Sequence, residues 1–318
     1  MPCDSPRLSF LTVCAIGLTL AAPIHAADPR GLATLPAGVS RVLFLGDSIT
    51  HSGGYVCAVE AYFVTRHPAR SIEFINAGLS SETVSGLSED GHANGQFPRP
   101  DLHERLGRVL AQVKPDLVFA CYGMNDGIYL PFAEEQFAKF RDGMTRFHEA
   151  VARAGARIIH VTPPVFDEIH GKSRGYAAVL DRYSEWLVSQ RVAANWTIID
   201  LHTAMRAALD ERRRTNAQFT FARDSVHPDE AGHWVMACAI LTGLGAADLG
   251  GASDVAAMVS AHQHGAEILK LATARQNLMK LAWLSATGHK RPGVKAGLPL
   301  DEARAQAAEI EQRISQLK

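Results

Sequence analysis

An α/β fold built on a parallel sheet with helices on both faces is what this sequence predicts, and three observations predict it. Apolar runs are continuous rather than alternating over residues 42–45 and 117–121, as strands buried on both faces require. Segments of helical length separate such runs at the spacing of βα units. Each run ends in a turn containing Gly, Asn, Asp or Pro, and right-handed crossovers bring those turns to one edge of the sheet.

The first strand, over 41–45, stops at Gly46-Asp47-Ser48, where Gly46 permits a sharp exit. A Ser/Gly linker over 51–54 and a helix over 55–66 follow, and the helix ends before Pro68. The second strand, over 72–76, turns at Ala77-Gly78, and the stretch 88–100, rich in Gly, His and Pro, reads as a polar surface loop. A helix over 102–113 ends at Lys114-Pro115, and a third strand over 117–121 runs into Tyr122-Gly123-Met124-Asn125-Asp126-Gly127. A helix over 132–154 is broken by Gly155, and the fourth strand, over 157–161, is stopped by Pro163-Pro164. The loop 163–176 precedes a helix through 191, a fifth strand over 197–200 and a helix over 202–213. An irregular stretch over 219–228 leads into a helix over 229–244.

The small, flexible segment 245–253 marks a boundary, so the chain divides into residues 1–27, a domain over 28–245 and a helical extension over 246–318. Within the extension, 255–285 and 300–318 read as helices joined by a loop over 287–298. A helical hairpin packed on the main domain is the plain reading. A dimerisation arm or a glycan-binding addition is the alternative.

Composition bounds the function. The 318 residues are 47% hydrophobic and 20% charged, which describes a globular chain with a sizeable core. With a net charge of -1 and scattered Lys and Arg, no basic stripe marks a nucleic-acid surface, and nucleic acid is excluded as a main partner. Residues 1–27 read as a secretory signal: Arg7, an apolar stretch over 8–22, then Ile24-His25-Ala26 as a cleavage site. That stretch is short for a membrane span, so no stable membrane insertion is expected after cleavage. Val13 is too bulky for a lipoprotein box at Leu11-Thr12-Val13-Cys14. Of five cysteines, Cys57, Cys121 and Cys238 remain; buried thiols are the plain reading, and one disulfide among them is the alternative. The 14 histidines form no HExxH, HxH or Cys/His pattern, so neither metal nor cofactor is expected.

The chemistry concentrates in four turns. Ser48, just past a core strand, is a candidate nucleophile that needs a base and a group to hold that base. Asp224-Ser225-Val226-His227-Pro228 offers both within one bent loop. An oxyanion needs donors aimed at it, and the Ser48 N–H, the Gly78 N–H and the Asn125 side-chain amide all fall on the same sheet edge.

These blocks, Gly46-Asp47-Ser48-Ile49-Thr50, Asn76-Ala77-Gly78, Gly123-Met124-Asn125-Asp126 and Asp224-Ser225-Val226-His227-Pro228, resemble those of the SGNH hydrolases, the GDSL-type esterases. They stand in the family's order over roughly 41–230. The resemblance implies a flavodoxin-like three-layer αβα sandwich around a five-stranded parallel sheet. It also implies Ser48 as nucleophile, His227 as base, Asp224 as its orienting partner, and Ser48, Gly78 and Asn125 as the oxyanion hole. It says nothing of the extension.

Secretion points to substrates outside the cytoplasm. The loops expected to rim the site are polar, with His92, Asn94, Gln96 and Arg99 in one and Asp167, Glu168, His170, Lys172 and Arg174 in the other. Phe166 and Tyr176 are candidate stacking rings, and Tyr129 and Phe132 follow Asn125. The expectation is an esterase acting on an acylated small molecule or polysaccharide, with acetyl the favoured acyl group. A lysophospholipase or thioesterase, and a non-catalytic carbohydrate-binding protein on the same fold, are the alternatives.

Overall fold

The computed structural model describes residues 32–318 apart from Lys172 and Gly250. The expected signal peptide over 1–27 and Lys172 of the second rim loop lie outside the described residues. Five strands, β1 (Arg41–Gly46), β2 (Glu73–Asn76), β3 (Leu117–Cys121), β4 (Arg157–Val161) and β5 (Thr197–Ile199), form one parallel sheet in the order β2-β1-β3-β4-β5. Register places Gly46 beside Cys121, Cys121 beside Val161 and Val161 beside Ile199. The strands therefore end in one row, and the turns beyond them share an edge.

The helices are α1 (Ser48–Ser52), α2 (Gly54–Arg66), α3 (Leu102–Val113), α4 (Glu134–Arg153), α5 (Tyr176–Ala193), α6 (Leu201–Thr215), α7 (Glu230–Gly243), α8 (Val255–Val259), α9 (Gly265–Thr287) and α10 (Leu300–Leu317). α7 packs against both α2 and α6, while α4 packs against α3 and, through Phe140 stacked on Tyr183, against α5. The sheet lies between these groups, in the expected three layers. Val42, Leu43, Phe44 and Leu45 have no exposed surface, which explains their unbroken apolar run.

Three elements differ from expectation. The linker over 51–54 is largely helical, because Asp47 caps α1 by accepting the Ile49 N–H at 2.9 Å, and only Gly53, with φ 87, turns the chain. The helix expected over 255–285 is broken into α8 and α9. A Cβ on Gly265 would lie 1.9 Å from the Val259 carbonyl oxygen, so the chain folds back on itself there. β5 ends at Ile199 because Asp200 caps α6, accepting the Thr203 N–H at 3.1 Å.

The extension packs on the body. α9 lies along α2 and β2, with Gln276 Nε2 donating to the Phe74 carbonyl at 2.7 Å, and α10 covers α9. Cys57, Cys121 and Cys238 are free thiols. Among the described residues, no helix is long and apolar enough to cross a membrane.

Candidate active site

The turn from β1 into α1 admits nothing but glycine at its first position. A Cβ on Gly46 would lie 2.1 Å from Thr50 Oγ1 and 2.6 Å from the Cys121 carbonyl oxygen. Ser48 is thereby placed at the first position of α1, where a helix leaves its N–H without an internal partner. Its N–H has no acceptor among the described residues. Ser48 Oγ stands 2.8 Å from His227 Nε2.

His227 sits in a loop folded around Asp224. Asp224 Oδ1 accepts the backbone N–H groups of Val226 and His227 at 3.0 and 2.8 Å, and Oδ2 lies 2.6 Å from His227 Nδ1. Partial burial pushes the Asp224 carboxyl up, but the hydrogen bonds from the His227 N–H, its ring and the Val226 N–H outweigh it and hold the group below its ordinary value. Ser225, with φ 75, makes the bend, and the loop is pinned by Asp167 N–H donating to the Ser225 carbonyl at 3.0 Å. Asp229 then caps α7 by accepting the Gly232 N–H at 2.9 Å. The pair is open to solvent, with the side chains of His227 and Asp224 50% and 57% exposed.

Asn125 is buried beside this edge. Its Nδ2 donates to the Glu82 carbonyl at 3.2 Å, and Tyr129 Oη donates to its Oδ1 at 3.0 Å. A carbonyl can only accept and this hydroxyl donates, so the amide's orientation is fixed and one Nδ2 hydrogen stays free. Tyr129 and Ile128 hold the left-handed region, with φ 58 and 47, and the Arg99 guanidinium stacks over the Tyr129 ring at 5.3 Å. Arg99 is held in turn by Glu89, at 2.6 Å on each carboxylate oxygen.

Gly78 differs from the expectation. Its N–H donates to Asn76 Oδ1 at 2.9 Å, an Asx turn, and so is not a free donor. The absence of a side chain has a steric cause: a Cβ would lie 2.5 Å from His51 N and 2.7 Å from the Thr50 carbonyl carbon. Sequence reasoning missed Ser81, in the turn where the Glu82 N–H donates to the Leu79 carbonyl at 3.2 Å. Ser81 holds φ 68, a conformation that favours glycine, and its N–H has no acceptor among the described residues.

The expected stacking rings are not available. Tyr176 is fully buried, accepting the Gly127 N–H at 3.1 Å and donating to the Met124 carbonyl at 2.9 Å, so it supports the Asn125 loop from beneath. Phe166, 5% exposed, packs against Tyr129 and Tyr176. Asp167 is bound by Arg213 at 2.7 Å rather than facing the rim. Phe132 is 38% exposed and remains on the surface.

Two buried carboxyls lie behind the site. Burial, opposed by the Ile49 N–H and reinforced by the nearby Asp126, pushes Asp47 up to about 7. Burial likewise pushes Asp126 up to about 6, against hydrogen bonds from Ser85 and Val84. Glu82 is buried too, pinned by Arg105 at 2.6 and 2.8 Å and by Tyr122 Oη at 2.6 Å. Among the described residues, no group of three or more His, Cys, Asp or Glu side chains is arranged to hold a metal ion.

The profile of the GDSL-like Lipase/Acylhydrolase family matches residues 44–235. An acetylxylan esterase from Geobacillus stearothermophilus is 26% identical over 226 residues, 64% of this chain and 94% of the relative. A solved structure of a catalytic mutant of an acetylxylan esterase from that organism superposes with a TM-score of 0.50 at 25% identity, over 66% of this chain and 96% of that one. A gut microbial diltiazem-metabolizing enzyme shares the fold at a TM-score of 0.52 and 22% identity over 68% of this chain, which spans about half, 49%, of that enzyme's length. The chain belongs to the GDSL-like lipase/acylhydrolase family and is an ester hydrolase of that type.

Proposed function

We propose that the protein is a secreted serine esterase removing small acyl groups, acetyl above all, from polysaccharide. Residues 1–27 act as its signal peptide, 28–245 as its hydrolase domain and 246–318 as its helical extension. The observation that carries the reading is the line from Ser48 Oγ through the His227 ring to Asp224, with contacts of 2.8 and 2.6 Å.

The reaction follows from that line. Asp224 accepts a hydrogen bond from Nδ1–H, which stays on the ring and leaves Nε2 as the basic nitrogen, so His227 takes the Ser48 proton as Oγ attacks the ester carbonyl. The oxyanion is met by the Ser48 N–H, the free Nδ2 hydrogen of Asn125 and the Ser81 N–H, which replaces Gly78 in the donor set. The imidazolium then protonates the sugar oxygen as its bond to the acyl carbon breaks, so the sugar leaves as the free hydroxyl and the acyl group stays on Ser48. A water, deprotonated by His227, attacks this acyl-enzyme and releases the carboxylate and the free serine.

Support for a short acyl group on a bulky alcohol is the exposure of His227 and Asp224, which leaves a polymeric leaving group unobstructed. The similarity to an acetylxylan esterase points the same way. The test is acetate release from a panel of acetylated polysaccharides, run beside lipid esters of increasing chain length. Release from at least one polysaccharide and falling turnover with chain length are expected. Preference for long-chain lipid esters would overturn the substrate assignment.

A further inference from the structure

We propose that Lys280, in the extension beyond the family's matching segment, is a positioning residue that holds the nucleophile helix in register with His227. The proposal rests on the assignment of Ser48 as nucleophile. α1 has five residues, too few to persist as a helix unaided. Its carbonyls are instead tied one by one. Ser52 Oγ donates to the Ile49 carbonyl at 2.8 Å, Asn76 Nδ2 to the Thr50 carbonyl at 2.6 Å, and Lys280 Nζ to the His51 carbonyl at 2.7 Å.

The three ties differ in origin. Ser52 belongs to α1 itself and Asn76 to the neighbouring strand, whereas Lys280 reaches across from α9. Its platform is rigid. One turn earlier, Gln276 bonds the Phe74 carbonyl at 2.7 Å and also meets the buried Glu60 of α2, which Arg275 contacts as well. Lys280 is half-buried and forms no ion pair among the described residues, so the His51 carbonyl is the polar partner that offsets its desolvation. A cation at the carboxyl end of a helix also complements the local dipole.

The consequence is geometric. Ser48 rides on α1 while His227 stands on a separate loop, so their 2.8 Å contact survives only if α1 cannot rock. A displacement of about 1 Å at a reacting group costs up to ~10²-fold in rate. The extension is thus a working part of the site and not an appended module.

The test uses the full chain. Turnover of p-nitrophenyl acetate and the rate of Ser48 modification by a fluorophosphonate are measured for wild type, Lys280→Met, Lys280→Arg and Ser48→Ala. For Lys280→Met, kcat and the modification rate fall about 10-fold while KM stays within about twofold, because ground-state binding is untouched. Lys280→Arg, which keeps a donor, recovers to within about threefold of wild type. A folded Lys280→Met with kcat within about twofold of wild type overturns the proposal. If Lys280→Met does not fold, Lys280→Gln takes its place under the same criteria. Full turnover by Ser48→Ala would instead overturn the nucleophile assignment, whereas an inactive Ser48→Ala beside an unaffected Lys280→Met would overturn only the bracing role.

Discussion

Tyr129 Oη donates to Asn125 Oδ1 at 3.0 Å, and together with the acceptor-only Glu82 carbonyl on Nδ2 it holds the amide in one orientation. Removing it leaves Oδ1 without its donor and the amide held only through Nδ2 on the Glu82 carbonyl at 3.2 Å. Tyr129→Phe is therefore expected to lower kcat roughly 10-fold, less than the ~10²–10³ typical of deleting an oxyanion donor outright. KM for a short acyl ester should hardly change. Steady-state kinetics on the purified variant decide it, and an unaltered kcat removes Tyr129 from the site's support.

His227 and Asp224 should fail unequally. His227→Ala takes away the proton acceptor and is expected to reduce turnover by ~10⁴-fold or more. Asp224→Asn retains an oxygen for the Val226 and His227 N–H groups, so the loop survives while the ring loses its anionic partner. Its expected loss is about 10²–10⁴-fold. Rates of the two variants within an order of magnitude of wild type would refute the pairing.

Much of this arrangement is legible in the sequence, for identifiable reasons. Leu117–Cys121 is an apolar run, Arg157–Val161 is a short β-branched stretch, both are bounded by Pro or Gly, and both strands lie where those signals put them. Gly46-Asp47-Ser48 and the loop from Asp224 to His227 carry their geometry locally, because Asp47 and Asp224 bond backbone N–H groups two or three residues away. The helix α1 is not legible, since its ties to Asn76 and Lys280 come from 26 and 229 residues away along the chain. Gly78 shows a further limit. A glycine in a turn signals close approach, but its neighbours decide whether the purpose is a free N–H or room for Thr50 and His51. Ser81 carries no local signal, because a residue at φ 68 is normally recognised by being glycine. Phe166 and Tyr176 suggest stacking surfaces by composition, yet the loop folds them inward beneath Tyr129.

Ser81 should therefore accept glycine gladly. Left-handed backbone costs an L-residue roughly 1–2 kcal/mol. Glycine lifts that strain while adding freedom to the unfolded chain. Ser81→Gly is expected to raise stability by up to about 1 kcal/mol in denaturant unfolding, with turnover retained because the N–H donor is retained. A loss of stability of that size would show that the serine hydroxyl matters more than the strain.

Asp47 makes a contribution to stability that falls with rising pH, while the buried His160 and His233, held below their ordinary value by burial, contribute with the opposite sign. Its folded value of about 7 lies above its unfolded value of 3.8, so between those limits the folded chain holds a proton that the unfolded chain has released. The stabilising contribution is fully present below 3.8 and is lost as pH rises through about 7, and Asp126 adds the same sign up to about 6. Asp224, held below its ordinary value, acts oppositely and only at the acid end. Asp47→Asn keeps an acceptor for the Ile49 N–H but cannot ionise. The stability of Asp47→Asn relative to wild type should therefore rise between pH 5 and pH 8 in thermal unfolding, and a relative stability that does not change with pH would count against a protonated Asp47.

The identity of the nucleophile is tested most directly by intact-mass and peptide mapping after brief exposure to a fluorophosphonate. One adduct, on Ser48, is predicted for wild type, with strongly slowed labelling in His227→Ala and none in Ser48→Ala. An adduct on another residue, or hydrolysis of acetyl esters by Ser48→Ala at the wild-type rate, would contradict it.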